Sequence, residues 1–229
     1  MTPYQSEILK SDDFSSSPSY EAEVQKIKVL NLYAGIGGNR KLWDNDKIEV
    51  TAIENVPEIA KIYQDFFPND KVIVVDAHQY LLEHYKEFDF IWSSPPCPSH
   101  SHIRKESAVA RGQNEAIFPD MKLYEEILFL QGYFKGKFVV ENVISWYNPL
   151  IKPYEFKSHY YWANFVIDGK KDTLRGHLLS IKEKQEIKGF DLSNYKGIDK
   201  NKILRNCVEP EAGLFVFNSA FKNRQEVLA

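Results

Sequence analysis

The sequence predicts an α/β protein with a doubly wound, mostly parallel sheet and a small C-terminal insert. Short apolar runs of strand length alternate with stretches of helical spacing, and parallel neighbours need such crossovers. Most of these runs end at a glycine, proline or acidic residue, the signature of strands that stop abruptly at one sheet edge. With 229 residues, 43% hydrophobic and 14% aromatic, the chain can bury one sizeable core.

The elements follow in order. Residues Thr2 to Glu23 are polar and serine-rich and read as a mobile tail. Ile27–Tyr33 is the first strand, meeting Ala34-Gly35-Ile36-Gly37-Gly38 and then a helical stretch through Trp43. Ile48–Ile53 is the second, ending at Glu54, with a helix from Pro57 to Phe66 whose proline suits a first turn. Val72–Val75 is the third, ending at Asp76, and its helix begins near Tyr80-Leu81-Leu82. Phe88–Trp92 runs into Ser93-Ser94-Pro95-Pro96-Cys97-Pro98-Ser99-His100-Ser101, which places Cys97 at the mouth of the sheet. His100 to Asn114 is a polar loop carrying Arg104, Lys105 and Arg111. Met121 to Phe134 has helical spacing, and Phe138–Val140 is a fifth strand ending at Glu141-Asn142. Tyr160 to Ile167 holds one or two further strands, Asp168 to Lys200 is lysine-rich and irregular, and Ile203 to Phe217 is apolar again.

Composition narrows the function. A formal charge of -3 means that any contact with phosphates comes from local patches. Two distant cysteines, Cys97 and Cys207, do not make a secreted disulfide scaffold. Met1 to Gln25 lacks the basic-then-apolar order of a signal peptide, and no apolar run has transmembrane length. These features point to a reduced, cytoplasmic protein. No metal site is read from the sequence.

Chemistry concentrates at the strand ends. Gly35, Gly37 and Gly38 allow close backbone approach and a helix N-terminus aimed at a ligand, although their spacing is not the full dinucleotide fingerprint. Glu54 stands where acidic residues bind ribose hydroxyls in such sheets. Asp76 serves either a ligand or a helix N-cap. Cys97 sits among prolines and polar residues, a setting that permits the lowered pKa and access of a nucleophile, against burial as a small apolar residue. Glu141 is either a solvated strand end or a partly buried carboxyl held protonated to donate a proton.

Tyr33-Ala34-Gly35-Ile36-Gly37-Gly38, Glu54-Asn55, Asp76, Pro95-Pro96-Cys97 and Glu141-Asn142-Val143, in that order, resemble the DNA cytosine-5 methyltransferases. Arg205-Asn206-Cys207-Val208 resembles that family's closing motif. The resemblance implies a Rossmann-like class I methyltransferase fold and S-adenosylmethionine as cofactor. Gly35, Gly37 and Gly38 would cradle its amino-acid end, Glu54 its ribose and Asp76 its adenine amino group. Tyr33, Asn55, Ala77, Ser94, Asn206 and Val208 would complete the pocket. Cys97 would attack carbon 6 of a flipped cytosine, Glu141 would hydrogen-bond ring nitrogen 3, and Asn142 would hold Pro96 and the catalytic turn. Arg104, Lys105 and Arg111 would contact phosphate, with Ser101 matching a serine common in that turn. The implied partition is a tail over 1–26, a catalytic domain over 27–167, a short target-recognition insert over 168–200 and a return over 201–229.

The chain also departs from the family. Pro98 replaces the usual glutamine after the cysteine, and the slot of a glutamine-arginine-arginine motif reads His159-Tyr160-Tyr161-Trp162-Ala163-Asn164, leaving Arg175 as the nearest arginine. The leading expectation is a DNA methyltransferase, acting on double-stranded DNA, with brief sequence recognition or with recognition supplied by a partner subunit. A non-catalytic cofactor- or DNA-binding subunit and an RNA methyltransferase are the alternatives.

Overall fold

The structure is a computed structural model describing residues 25–102, 118–170 and 179–222. The expected tail up to residue 24, Arg104, Lys105, Arg111 and Arg175 lie outside the described residues.

Seven strands form one sheet: β1 (Ile27–Leu32), β2 (Ile48–Ile53), β3 (Lys71–Ile73), β4 (Phe90–Ser93), β5 (Lys137–Val143), β6 (Tyr154–Phe156) and β7 (His159–Ala163). Their order is β3-β2-β1-β4-β5-β7-β6. The first five run parallel, while β7 lies antiparallel to both β5 and β6. The apolar runs exist because the central strands are buried on both faces. Val29, Phe90, Trp92 and Val139 enter one core cluster, whereas Leu30, Leu32, Ile91, Phe138 and Val140 enter another.

The described helices are α1 (Pro57–Phe66), α2 (Ala77–His84), α3 (Lys122–Tyr133), α4 (Ile181–Lys188), α5 (Lys200–Asn206) and α6 (Pro210–Phe221). Leu81 of α2 and Leu123, Ile127 and Leu130 of α3 fill the cluster of Leu30 and Ile91. On the other side, Ala212, Val216, Phe217 and Ala220 of α6 pack with Val29, Phe90 and Trp92. Trp43 stacks on Phe217 with ring centroids 4.7 Å apart and donates its indole N–H to the Gly213 carbonyl.

Several boundaries differ from expectation. The stretch after Gly38 is a chain of turns and not a helix, because Asn39 and Arg40 are buried and held by distant partners. Asn39 bonds Asn31 on β1, and Arg40 grips Asp70 through two nitrogens at 2.9 and 3.0 Å. No helix N-terminus therefore faces a ligand there. β3 ends at Ile73, where its pairing with β2 stops, so Asp76 lies beyond the strand and α2 starts at Ala77. β5 extends through Val143, since β7 pairs with Glu141 and Asn142 as well.

The segment expected to be irregular contains α4, which opens with a Ser180/Glu183 capping box and closes on Gly189 at φ 65°. Its continuation buries Phe190 and Leu192 among Ile62, Tyr63 and Phe67. Within residues 179–200, Phe190 and Leu192 thus anchor an otherwise largely exposed segment to the core.

Candidate active site

The carboxyl ends of the parallel strands meet where the order reverses between β1 and β4, the place where open α/β sheets bind ligands. Tyr33 leaves β1 with φ 54°, a conformation few non-glycine residues adopt. Gly35 follows at φ 54°, and a Cβ there would meet nothing within 4 Å. Gly37 and Gly38 are different. A side chain on Gly37 would strike Phe67 and Tyr63, and one on Gly38 would lie 2.2 Å from the Val208 carbonyl and 2.5 Å from the Cys207 sulfur. These two are packing glycines, and Gly38 seats the closing segment against the first turn.

Glu54, buried at the tip of β2, accepts backbone N–H bonds from Gly35 at 3.0 Å and Val56 at 2.9 Å. Burial raises its pKa against those bonds. Asn55 and Asp76 are exposed, and the Asp76 carboxylate caps α2 by accepting from the Gln79 N–H at 2.8 Å. Ala77 is buried in the core. Ser94 accepts the Trp92 indole N–H at 2.8 Å. Asn206 is exposed and Val208 half-buried.

The turn after β4 is fixed from several sides. The Asn142 amide, buried on β5, donates to the carbonyl of Pro95 at 2.9 Å, one residue earlier than the expected Pro96. His100 and Ser101 donate their N–H groups to the Cys97 carbonyl at 3.0 and 3.1 Å, Ser101 bridges to Ser145, and the Trp146 indole donates to the Ser99 carbonyl. Cys97 is half-buried and Pro96 exposed. Burial pushes the Cys97 thiol up, the negative charge of Glu141 pushes it further, and Arg205 pulls it back in part. The lowered pKa that the sequence permitted is thus absent, because the site has withdrawn the sulfur from water beside a carboxylate. Glu141 is buried, with His159 Nε2 3.6 Å from its Oε1.

Sequence reading missed Glu126, His159 and Arg205 as site residues. Glu126 had one signal, a carboxylate among Leu123, Ile127 and Leu130 on the apolar face of a helix. Among the described residues no cluster could hold a metal ion, and no helix is long and apolar enough to cross a membrane.

This strand order, with its crevice at the β1/β4 reversal, is a Rossmann-like doubly wound sheet. The family model for C-5 cytosine-specific DNA methylase matches residues 27–147, and the chain belongs to that family. S-adenosylmethionine is accordingly its cofactor. Among solved structures, the chain is similar to the methyltransferase EhMeth of Entamoeba histolytica, with TM-score 0.49 and 11% identity over 90% of this chain and 99% of that one. It is similar also to a SAM-dependent methyltransferase from Agrobacterium tumefaciens, with TM-score 0.38 and 15% identity over 54% and 40%. A third is the plantazolicin methyltransferase BpumL in complex with SAH, with TM-score 0.33 and 14% identity over 51% and 39%. The comparison with curated proteins found no match.

Proposed function

We propose that this chain methylates carbon 5 of cytosine in DNA through a covalent adduct on Cys97. The supporting observation is that Cys97, in the turn after β4, stands within electrostatic reach of Glu141 on the neighbouring β5, with that turn held by the Asn142 bond to Pro95.

The strand ends fit the cofactor. The open space at Gly35, beside buried Glu54, leaves room for the ligand, and Glu54 keeps acceptor capacity for ribose hydroxyls. Gly35, Glu54, Asp76 and Tyr33 would hold it, with Asn55, Ala77, Ser94, Asn206 and Val208 around them and Gly37 and Gly38 shaping the turn. When bound, S-adenosylmethionine supplies an electrophilic methyl group.

The chain's own residues do the rest. The Cys97 sulfur adds to carbon 6 and loses its proton, while Glu141 presents its carboxyl to ring nitrogen 3. The thiol proton passes by way of Glu141 to ring nitrogen 3 as the sulfur adds, so no thiolate need build up beside that carboxylate. Carbon 5 becomes nucleophilic and takes the methyl group, leaving S-adenosylhomocysteine; a base then removes the carbon 5 proton, the sulfur leaves as the ring double bond re-forms, and nitrogen 3 returns its proton to Glu141. A base must leave the duplex stack for this to happen, with Pro96 and Ser101 in the turn it meets.

A shared burden of recognition is supported by the packing of Phe190 and Leu192 into the core. The 168–200 segment is short and anchored at these two residues, which favours brief recognition or recognition shared with a partner subunit. Arg104, Lys105 and Arg111 remain the phosphate contacts of this reading and Arg175 the nearest substitute for the missing family arginines, inside the cell where both substrates reside.

The test is base-resolution mapping of 5-methylcytosine in DNA from cells expressing the chain, beside Cys97→Ala. Methylation at a short defined site, lost in the variant, is the expected result. Equal methylation in both removes Cys97 from the mechanism, and transfer to RNA alone replaces the DNA reading.

A further inference from the structure

Glu126 is fully buried on α3 and belongs to none of the motifs above, yet three elements converge on it. The Tyr33 hydroxyl, at the end of β1, donates to its Oε1 at 2.6 Å. His78 Nδ1, on the first turn of α2 behind Asp76, lies 3.1 Å from the same oxygen. The Ser93 hydroxyl, last residue of β4 and neighbour of Ser94, donates to Oε2 at 2.6 Å. Each of these residues sits in or beside a different side of the cofactor pocket.

We infer that Glu126 is a positioning residue for S-adenosylmethionine, tying the β1, α2 and β4 walls of its pocket to one carboxylate. The inference rests on the pocket assigned under Proposed function. A buried carboxylate is costly to desolvate, and a purely structural site would be filled more favourably by an apolar side chain. What the carboxylate adds is a pair of charge-assisted acceptors held a fixed distance apart. They bring Tyr33 over at φ 54°, a backbone state that needs outside support in a residue with a large side chain. Tyr33 stands two residues before Gly35, so its phenol tether sets the path of the turn that borders the open space. The Ser93 tether fixes the last residue of β4, next to Ser94 of the pocket. His78 joins the entrance of α2, where Asp76 caps the helix.

Glutamine at 126 keeps the volume and one acceptor but replaces the second acceptor with a donor. The experiment measures binding of S-adenosylhomocysteine by calorimetry, and steady-state kinetics, for the parent chain, Glu126→Gln, Tyr33→Phe and the double variant. Glu126→Gln should weaken binding and raise the KM for S-adenosylmethionine by about tenfold, as expected for loss of a charged hydrogen bond. At saturating cofactor, kcat and the KM for DNA should stay within about twofold. Tyr33→Phe should show part of the loss, and the double variant less than the sum, because the two groups share one bond. A structural role alone would lower thermal stability and the active fraction without moving the cofactor KM. Cofactor affinity unchanged in both single variants, or strictly additive losses, overturns the inference. Should Glu126→Gln fail to fold, Tyr33→Phe and Ser93→Ala carry the same comparison. A parent chain that binds no S-adenosylhomocysteine overturns instead the pocket assignment on which the inference stands.

Discussion

His159 Nε2 lies 3.6 Å from Glu141 Oε1, on the strand that runs antiparallel to β5. In the register His159 faces Val143, so it reaches Glu141 along the diagonal, a distance long side chains span across a sheet. It occupies the slot where the sequence lacked the arginines of its family.

Replacing this partner should therefore impair chemistry and spare cofactor binding. His159→Ala should lower kcat by about tenfold, the scale of one lost interaction with a charged group. His159→Arg, which restores a donor to Glu141, should recover most of it. Single-turnover methyl transfer is the measurement, and full activity in His159→Ala would remove the residue from the site.

The Cys97 thiol should titrate above an ordinary thiol, because burial and Glu141 both disfavour its anion. Alkylation of Cys97 followed against pH reads this directly, since Cys207 is buried with its pKa pushed up to about 11. Glu141→Gln should move the alkylation curve to lower pH and Arg205→Ala to higher pH. Identical curves in all three proteins would mean that neither charge reaches the sulfur.

The two kinds of glycine make opposite predictions. Gly35→Ala places a methyl in open space, so it should reduce S-adenosylhomocysteine affinity at least about tenfold while costing the fold about 1 kcal/mol for its backbone state. Gly38→Ala drives a methyl into the Val208 carbonyl, and overpacking of this kind costs roughly 1–3 kcal/mol. Thermal denaturation with and without ligand separates them, and equal loss of stability in both variants would refute the distinction.

His78 supplies a prediction for stability. Its pKa is raised, first by the hydrogen bond to Glu126, against a partial opposing effect of burial. Glu125 and Glu126 favour its charged form, and Lys122 opposes it. Stability from this charge is fully present below the unfolded value of about 6.5 and is lost as pH rises through the higher folded value. Melting temperature should fall across that window, and His78→Gln should flatten the slope. An identical slope in the variant would mean that the pair contributes nothing.

The strands were legible because burial on both faces demands near-continuous apolar runs, as in Phe90–Trp92 and Phe138–Val140. The places of Glu54 and Glu141 at the sheet edge were legible because each directly follows such a run, and that of Cys97 because it stands in the turn that ends the fourth. The turn after Gly38 was not, since the partners that bend it, Asn31 and Asp70, are invisible to local spacing. Glu126 was obscured in the same way, bonding Tyr33 across 93 residues. The helix α4 escaped notice because Lys184 is its one buried residue, reaching Asn201 with its amine, and no apolar stripe marks it.

The Trp43 bond to Gly213 spans 170 positions and joins the first glycine turn to the last described helix. A growing polypeptide halted before Pro210 lacks α6, and with it the cover over Val29, Phe90 and Trp92. The floor of the sheet then stays open to water, to chaperones and to other nascent chains. The parallel strands that frame the crevice thus emerge before the helix that covers the sheet beneath them.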